Sequence, residues 1–240
     1  MKKSIFKLIP LLIFLYPNLY RLSAQKKADN NYYIWHDNIV GERNLDIYKG
    51  KVFIPKFVSK EKERQFFQQG NHSKTHIVYD GQSYYNLAIR YDLLNDQVLL
   101  YCKTGLWNGW IVLASDKIER LSMDAVPFTH LNDFENSQIK SGFYKEVSTD
   151  GKIKLYEKLS KAVRKRIIDR KTYYEFKDSK SLFLIKNNED YTLIENIRDL
   201  IFLFPTFKKQ ILDNYNKKVH KANESNSFKN SVEQLNQLIK

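Results

Sequence analysis

The sequence predicts an α+β fold: an antiparallel β-rich body, a roll, barrel or sandwich of about ten short strands, followed by a C-terminal helical segment. Three observations carry this. Short runs rich in Tyr, Ile, Val and Leu recur from Thr75 to Ile194. Turn residues, above all Asp80-Gly81 and Asp150-Gly151, separate them. After Glu195 the apolar period changes from two to between three and four.

The first strands are "THIVY", "SYYNLAIRY" and "QVLLYC", joined at Asp80-Gly81 and Asn95-Asp96. "WIVLA" and "IERL" follow, with Gly105 and Gly109 flanking Trp107 and a turn near Ser115-Asp116-Lys117. The clearest hairpin is "GFYKEVSTDGKIKLYEKL", where Phe143, Lys145 and Val147 alternate on one side and Ile153 and Leu155 on the other. Asp and Gly tolerate the left-handed backbone that such tight reversals require. "TYYEFK", "SLFLIK" and "YTLI" supply further strands. Between Asn30 and Gly70 the period is weak, and "NLDIYKGKVFIPKF" reads as a strand, a Lys-Gly turn and a second strand.

In the helical segment, Ile194, Ile197, Ile201 and Phe204 mark a first helix. Pro205 breaks it and opens a second carrying Phe207, Ile211, Tyr215 and Val219. "ANESNS" reads as a polar loop, with Ser227 capping a last helix of Phe228, Val232, Leu235 and Ile239. The expected organisation is a signal peptide over 1–24, a β-rich domain over 30–193, and a helical segment over 194–240 packed on or next to it.

The signal peptide is read from Met1-Lys2-Lys3, the apolar stretch Ile5 to Tyr16, and Leu22-Ser23-Ala24 before Gln25. Lys7, Pro10 and Pro17 interrupt that stretch, which is shorter than the roughly 20 apolar residues of a spanning helix. Export, with cleavage near Ala24, is the expectation, and no transmembrane helix is expected in the mature chain. The sole cysteine, Cys102, excludes an intrachain disulfide and stands far from the leader, which argues against a lipid anchor there. Loss of Lys2, Lys3, Lys7 and Arg21 lowers the formal charge from +13 to +9. An exported basic chain meets lipid head groups and acidic glycans before it meets nucleic acid, which is not an expected partner.

No motif points to catalysis. His72 and His76 have the spacing of a helical metal pair, but in a loop running into a strand that spacing separates them by about 13 Å. No metal or cofactor is therefore expected. The sequence carries no Gly-x-Ser-x-Gly elbow and no phosphate-cradling glycine loop. Cys102 lies in an apolar strand and reads as an inert thiol. Asp80 and Asp92, the two Tyr-Asp acids, read as turn punctuation.

Two surfaces stand out as binding candidates. Aromatic side chains offer stacking faces for sugars. If Ser83 to Arg90 runs as one strand, Tyr84, Asn86, Ala88 and Arg90 share its more polar face, so Tyr84, Asn86 and Arg90, with Trp107 between its two turn glycines, are candidate ligand contacts. The basic run "KLSKAVRKRIIDRK" is the strongest charge feature. Lys161, Arg164, Lys165, Arg166 and Arg170 are candidate contacts to an anionic surface, whether the run folds as an amphipathic helix or as a hairpin with solvated lysines.

"YDGQSYYNLAIRYDLLNDQVLL", "GFYKEVSTDGKIKLYEK" and "IRDLIFLFPTFKKQILDNYNKK", read in this order, resemble a family of uncharacterised exported proteins of Bacteroidota-type cell envelopes. The resemblance spans roughly residues 45 to 240, and the basic stretch near 161 to 170 departs from its pattern. It implies the periplasm or the inner face of the outer membrane and carries no catalytic residue. The functional expectation is a non-enzymatic envelope binding or accessory module for a protein, glycan or lipid partner. The alternative is a hydrolase or transferase of envelope glycan or lipid metabolism.

Overall fold

The structure, a computed structural model, describes residues 31–41, 44–57, 65–68, 74–104, 107–132, 134, 136, 138–215 and 217–239. The expected signal peptide, its cleavage site, His72 and Gly105 lie outside them. Fourteen strands are described: β1 (Lys51–Val52), β2 (Thr75–Tyr79), β3 (Gln82–Tyr85), β4 (Ile89–Asp92), β5 (Gln97–Thr104), β6 (Trp107–Val112), β7 (Ile118–Met123), β8 (Val126–Leu131), β9 (Gly142–Ser148), β10 (Ile153–Lys158), β11 (Lys161–Ile168), β12 (Lys171–Asp178), β13 (Leu182–Asn187) and β14 (Asp190–Ile194). Helix α1 covers 31–40. Four more close the chain: α2 (Ile197–Leu203), α3 (Lys208–Asn214), α4 (Lys217–Ala222) and α5 (Glu224–Leu238).

All strand pairs are antiparallel, in the β-rich-then-helical order the sequence predicts. A large open sheet runs β14-β13-β10-β9-β8-β7-β2-β3, a small one runs β1-β6-β5-β4, and β11-β12 form a ribbon of their own. Alternation explains the packing. Ile77, Tyr84, Leu121, Phe128 and Phe143 of the large sheet meet Ile89, Tyr91, Val98, Leu100 and Ile111 of the small sheet in one core. Further along, Ile153, Leu155, Phe183, Ile185 and Ile194 meet Leu200, Phe204, Ile211, Phe228, Val232 and Leu235 of the helices in a second. A third cluster, Ile139, Tyr144, Tyr156 and Leu184, involves alternate residues of β9, β10 and β13.

Four expectations need correction. "SYYNLAIRY" is not one strand. Asn86 adopts φ +57°, a left-handed geometry that Asn tolerates better than most residues, so β3 ends in the large sheet and β4 starts in the small one. The crossing is held by Asn86 N donating to Thr75 O at 2.8 Å and Thr75 Oγ1 donating to Leu87 O at 2.5 Å. "NLDIYKG" contains a 3-10 turn, Asp46–Tyr48, rather than a strand, and the following strand is only Lys51–Val52.

β8 has no counterpart in the sequence reading, because Pro127 discourages a central strand and Asp124-Ala125 is not a recognised turn pair. Both turn residues have positive φ, the reversal into β8. In the tail, "ANESNS" is not a loop: Asn223, not Ser227, caps α5 by accepting from Asn226 N at 2.9 Å. The expected second helix is divided into the 3-10 turn Pro205–Phe207, α3 and α4. Among the described residues, no helix is long and apolar enough to cross a membrane.

Candidate functional site

The four proposed ligand contacts do not share a surface. Tyr84 is buried in the first core, and burial foremost pushes its phenol up to about 12. Asn86 is exposed at the crossing between sheets. The Arg90 guanidinium lies over the Trp110 ring at 4.5 Å and the Phe66 ring at 5.2 Å, a stacked arrangement that holds the small sheet's outer face. Trp107 is 39% exposed and folds back over its own strand, where a Cβ on Gly109 would stand 2.8 Å from the indole. The alternation behind the expected polar face presumed an unbroken strand, and the left-handed residue at 86 resets it.

The two acids of the Tyr-Asp pairs are structural. Asp80 heads its turn at φ +52° and accepts from Lys117 Nζ at 2.7 Å. Asp92 is fully buried. Its carboxylate accepts from Gln65 Nε2 at 2.8 Å, Leu94 N at 2.9 Å, Asn95 N at 3.2 Å and Asn95 Nδ2 at 2.7 Å, which fixes the β4-β5 turn.

The last residue of that turn, Asp96, belongs to a polar seam that sequence reasoning missed. Asp96 accepts from Tyr91 Oη at 2.6 Å and from Lys158 Nζ at 2.7 Å, and Lys158 also lies 4.7 Å above the Tyr144 ring. Gly142, at φ +133°, leaves room for this pair: a Cβ there would stand 1.8 Å from Asp96 Oδ2 and 2.5 Å from Lys158 Nζ. Burial foremost raises the Tyr91 and Tyr144 phenols above their usual range and lowers His130. At neutral pH these phenols stay protonated and serve as hydrogen-bond donors. The seam therefore ties the small sheet's turn to β9 and β10. A second buried carboxylate, Glu157, accepts from Lys145 at 3.0 Å, Ser181 at 2.9 Å and Ser225 at 2.8 Å, joining three elements.

The basic run gives the opposite picture. It is a hairpin, and the helix alternative falls: β11 and β12 pair from Lys161↔Asp178 to Ile168↔Lys171, reversing through Asp169 and Arg170, both at positive φ. Among the described residues, no other strand joins this ribbon. At its root, Lys161 N donates to Leu93 O and Ser179 N to Ser160 O, each at 3.0 Å. Phe57 packs on Tyr174 at 4.9 Å and on Phe176 at 6.3 Å. Beyond the root, residues 162–165 and 167–172 are exposed.

Register sorts its side chains. Val163, Lys165, Ile167, Thr172, Tyr174 and Phe176 share the face that Phe57 meets at the base, while Arg164, Arg166, Ile168, Lys171, Tyr173, Glu175 and Lys177 share the other. Ion pairs hold Lys161 to Asp178 at 2.8 Å and Arg166 to Glu175 at 3.0 Å. Arg164, Lys165, Arg170 and Lys171 are exposed, as are Ile167 at 71% and Ile168 at 43%. Three of the five anionic-surface candidates, Arg164, Lys165 and Arg166, thus sit along the ribbon and Arg170 at its turn, whereas Lys161 is engaged at the root.

No family model, curated protein or solved structure matches this chain. Among the described residues, no three His, Cys, Asp or Glu side chains converge as a metal site would require. His76 stacks on Tyr85 at 4.4 Å, and Cys102 is buried in β5. The arm is the feature whose exposed chemistry is not accounted for by folding.

Proposed function

We propose that this protein is a binding or accessory module of the cell envelope that engages an anionic partner through the β11-β12 arm. The observation that carries the reading is the arm itself, a ribbon joined by no other strand among the described residues, with seven cations against three acids between Lys161 and Asp178. Holding like charges together on a projecting element costs stability unless something negative compensates them. The basic and apolar leader-like start, Met1 to Tyr16, supports an exported location, where acidic glycans and lipid head groups are the abundant polyanions.

The test is binding of the purified chain to polyphosphate and to vesicles containing phosphatidylglycerol, at several salt concentrations. Affinity should fall with salt, and the triple variant R164E/K165E/R166E should lose about tenfold or more, since each basic residue near an anionic surface contributes on the order of 1 kcal/mol. Salt-independent binding, or no binding to either probe, overturns the proposal.

A further inference from the structure

We infer that the arm docks on an anionic lipid bilayer by inserting Ile167 and Ile168, next to its turn, while the surrounding cations meet the lipid phosphates. This rests on the module reading above and assigns its partner. The argument begins with the order of residue types from the turn outward. Two adjacent isoleucines, both exposed, precede the turn. Arg164, Lys165, Arg166, Arg170 and Lys171 lie within four residues of Ile168, hence within about 13 Å along the ribbon. The turn itself, Asp169-Arg170, is charged and exposed, so the end of the arm is an aliphatic pair with charged side chains on either side of it.

A lipid leaflet presents a counterpart to each of these two chemistries. Its head-group layer is about 5 to 8 Å deep over hydrocarbon, so isoleucines that reach the acyl boundary leave side chains one to three residues away along the ribbon within reach of the phosphates. Long Arg and Lys side chains bridge the remaining distance, their stems apolar and their ends charged. The two faces make the arm suited to that boundary from either side: Ile167 projects from one and Ile168 from the other. Polar backbone groups on the ribbon's outer edges limit insertion to a shallow depth, because hydrocarbon leaves such groups unsatisfied.

Other occupants are less well matched. A second copy would bring two arms of the same positive excess edge to edge, and like charges oppose that pairing. A flexible single-stranded nucleic acid is gripped by stacking on aromatic faces, whereas the exposed residues at the end of this ribbon, 167–172, are aliphatic, charged or hydroxylic and include no aromatic ring. A soluble acidic glycan satisfies the cations but offers no burial to the isoleucines.

The experiment uses the full exported chain. An Ile168→Cys variant labelled with an environment-sensitive dye reports insertion, and the buried Cys102 serves as an unlabelled control in the parent. Dye emission should brighten and shift to the blue with phosphatidylglycerol vesicles and stay unchanged with polyphosphate. In parallel, I167N/I168N should weaken vesicle binding by at least about tenfold, as expected for losing the burial of two aliphatic side chains, with polyphosphate affinity intact. Equal vesicle binding by parent and I167N/I168N, with a silent dye, overturns insertion but leaves the anionic-partner reading standing. Tighter, isoleucine-dependent binding to duplex DNA than to vesicles overturns the bilayer assignment. Absence of binding to both vesicles and polyphosphate overturns both proposals. Unchanged circular dichroism of each variant establishes that the fold is intact, and the labelled Ile168→Cys variant, which keeps Ile167, provides the second readout.

Discussion

Lys158 ends β10 and Lys161 begins β11, yet the chain uses its cations in opposite ways on the two sides of Leu159-Ser160. Before that point Lys158 is buried, bonded to Asp96 and laid over Tyr144. After it, Arg164, Lys165, Arg170 and Lys171 are exposed on a ribbon whose root is hydrogen-bonded to the body. The seam and the arm contain the same residue types, and their surroundings decide whether a charge holds the fold or remains for a partner. A buried ammonium must find its carboxylate inside the molecule. An exposed one contributes little to stability whether paired or not.

Substitutions that break or sharpen this contrast rank by burial. Gly142→Ala should have the largest effect, about 3 kcal/mol in urea denaturation, because it combines a left-handed backbone with a Cβ driven into Asp96 and Lys158. A loss below about 1 kcal/mol would mean that the seam can open without disturbing the sheets. Lys158→Met removes the ammonium while keeping most of the stem. It should cost about 2 kcal/mol, reduced from the fully buried case because Asp96 is 29% exposed on its side chain. The double variant K158M/D96N should recover part of that loss, and thermal melts of the three proteins would show whether it does.

Asn236→Ala tests another interior contact. Its side chain accepts from Ile153 N at 2.9 Å and donates to Ile153 O at 2.8 Å, fastening α5 to the first residue of β10. A loss of about 1 kcal/mol is expected, with earlier hydrogen exchange at Ile153 as the local sign. The smallest change belongs to the arm. R164E/K165E/R166E should alter stability by less than about 0.5 kcal/mol, since the ion pair of Arg166 with Glu175 is substantially exposed. A drop comparable to Lys158→Met would place the arm's cations among the structural ones and remove the reason for assigning them a partner.

The sequence made the hairpins legible where turn chemistry and period agreed, as at Asp150-Gly151, and it made the basic run visible as a charge feature. It could not choose between helix and ribbon there, because Ala162, Val163 and Ile167 satisfy either period until cross-strand partners such as Phe176 and Tyr174 are known. Tyr84 was misassigned for a related reason: one left-handed residue at Asn86 interrupts the alternation, and local pattern has no means of announcing it. The Asp96-Lys158 seam joins residues 62 positions apart, a distance over which no spacing rule operates. Pro127 concealed β8 because a central strand tolerates proline only where its missing N–H is not needed.

The crossing at Asn86 also bears on the order in which the molecule assembles. β7, β8, β9 and β10 are neighbours in both chain and sheet, but β2 reaches β7 only after β3, β4, β5 and β6 have been traversed. Closing that excursion spends chain entropy before β2-β7 contacts return any, and such non-local pairings are slow to form. Refolding should therefore begin in the β7-to-β10 meander, with β2 and β3 added last at the sheet's end, and amide protection in pulse-labelled refolding should rise at Leu121 and Phe128 before it rises at Tyr84.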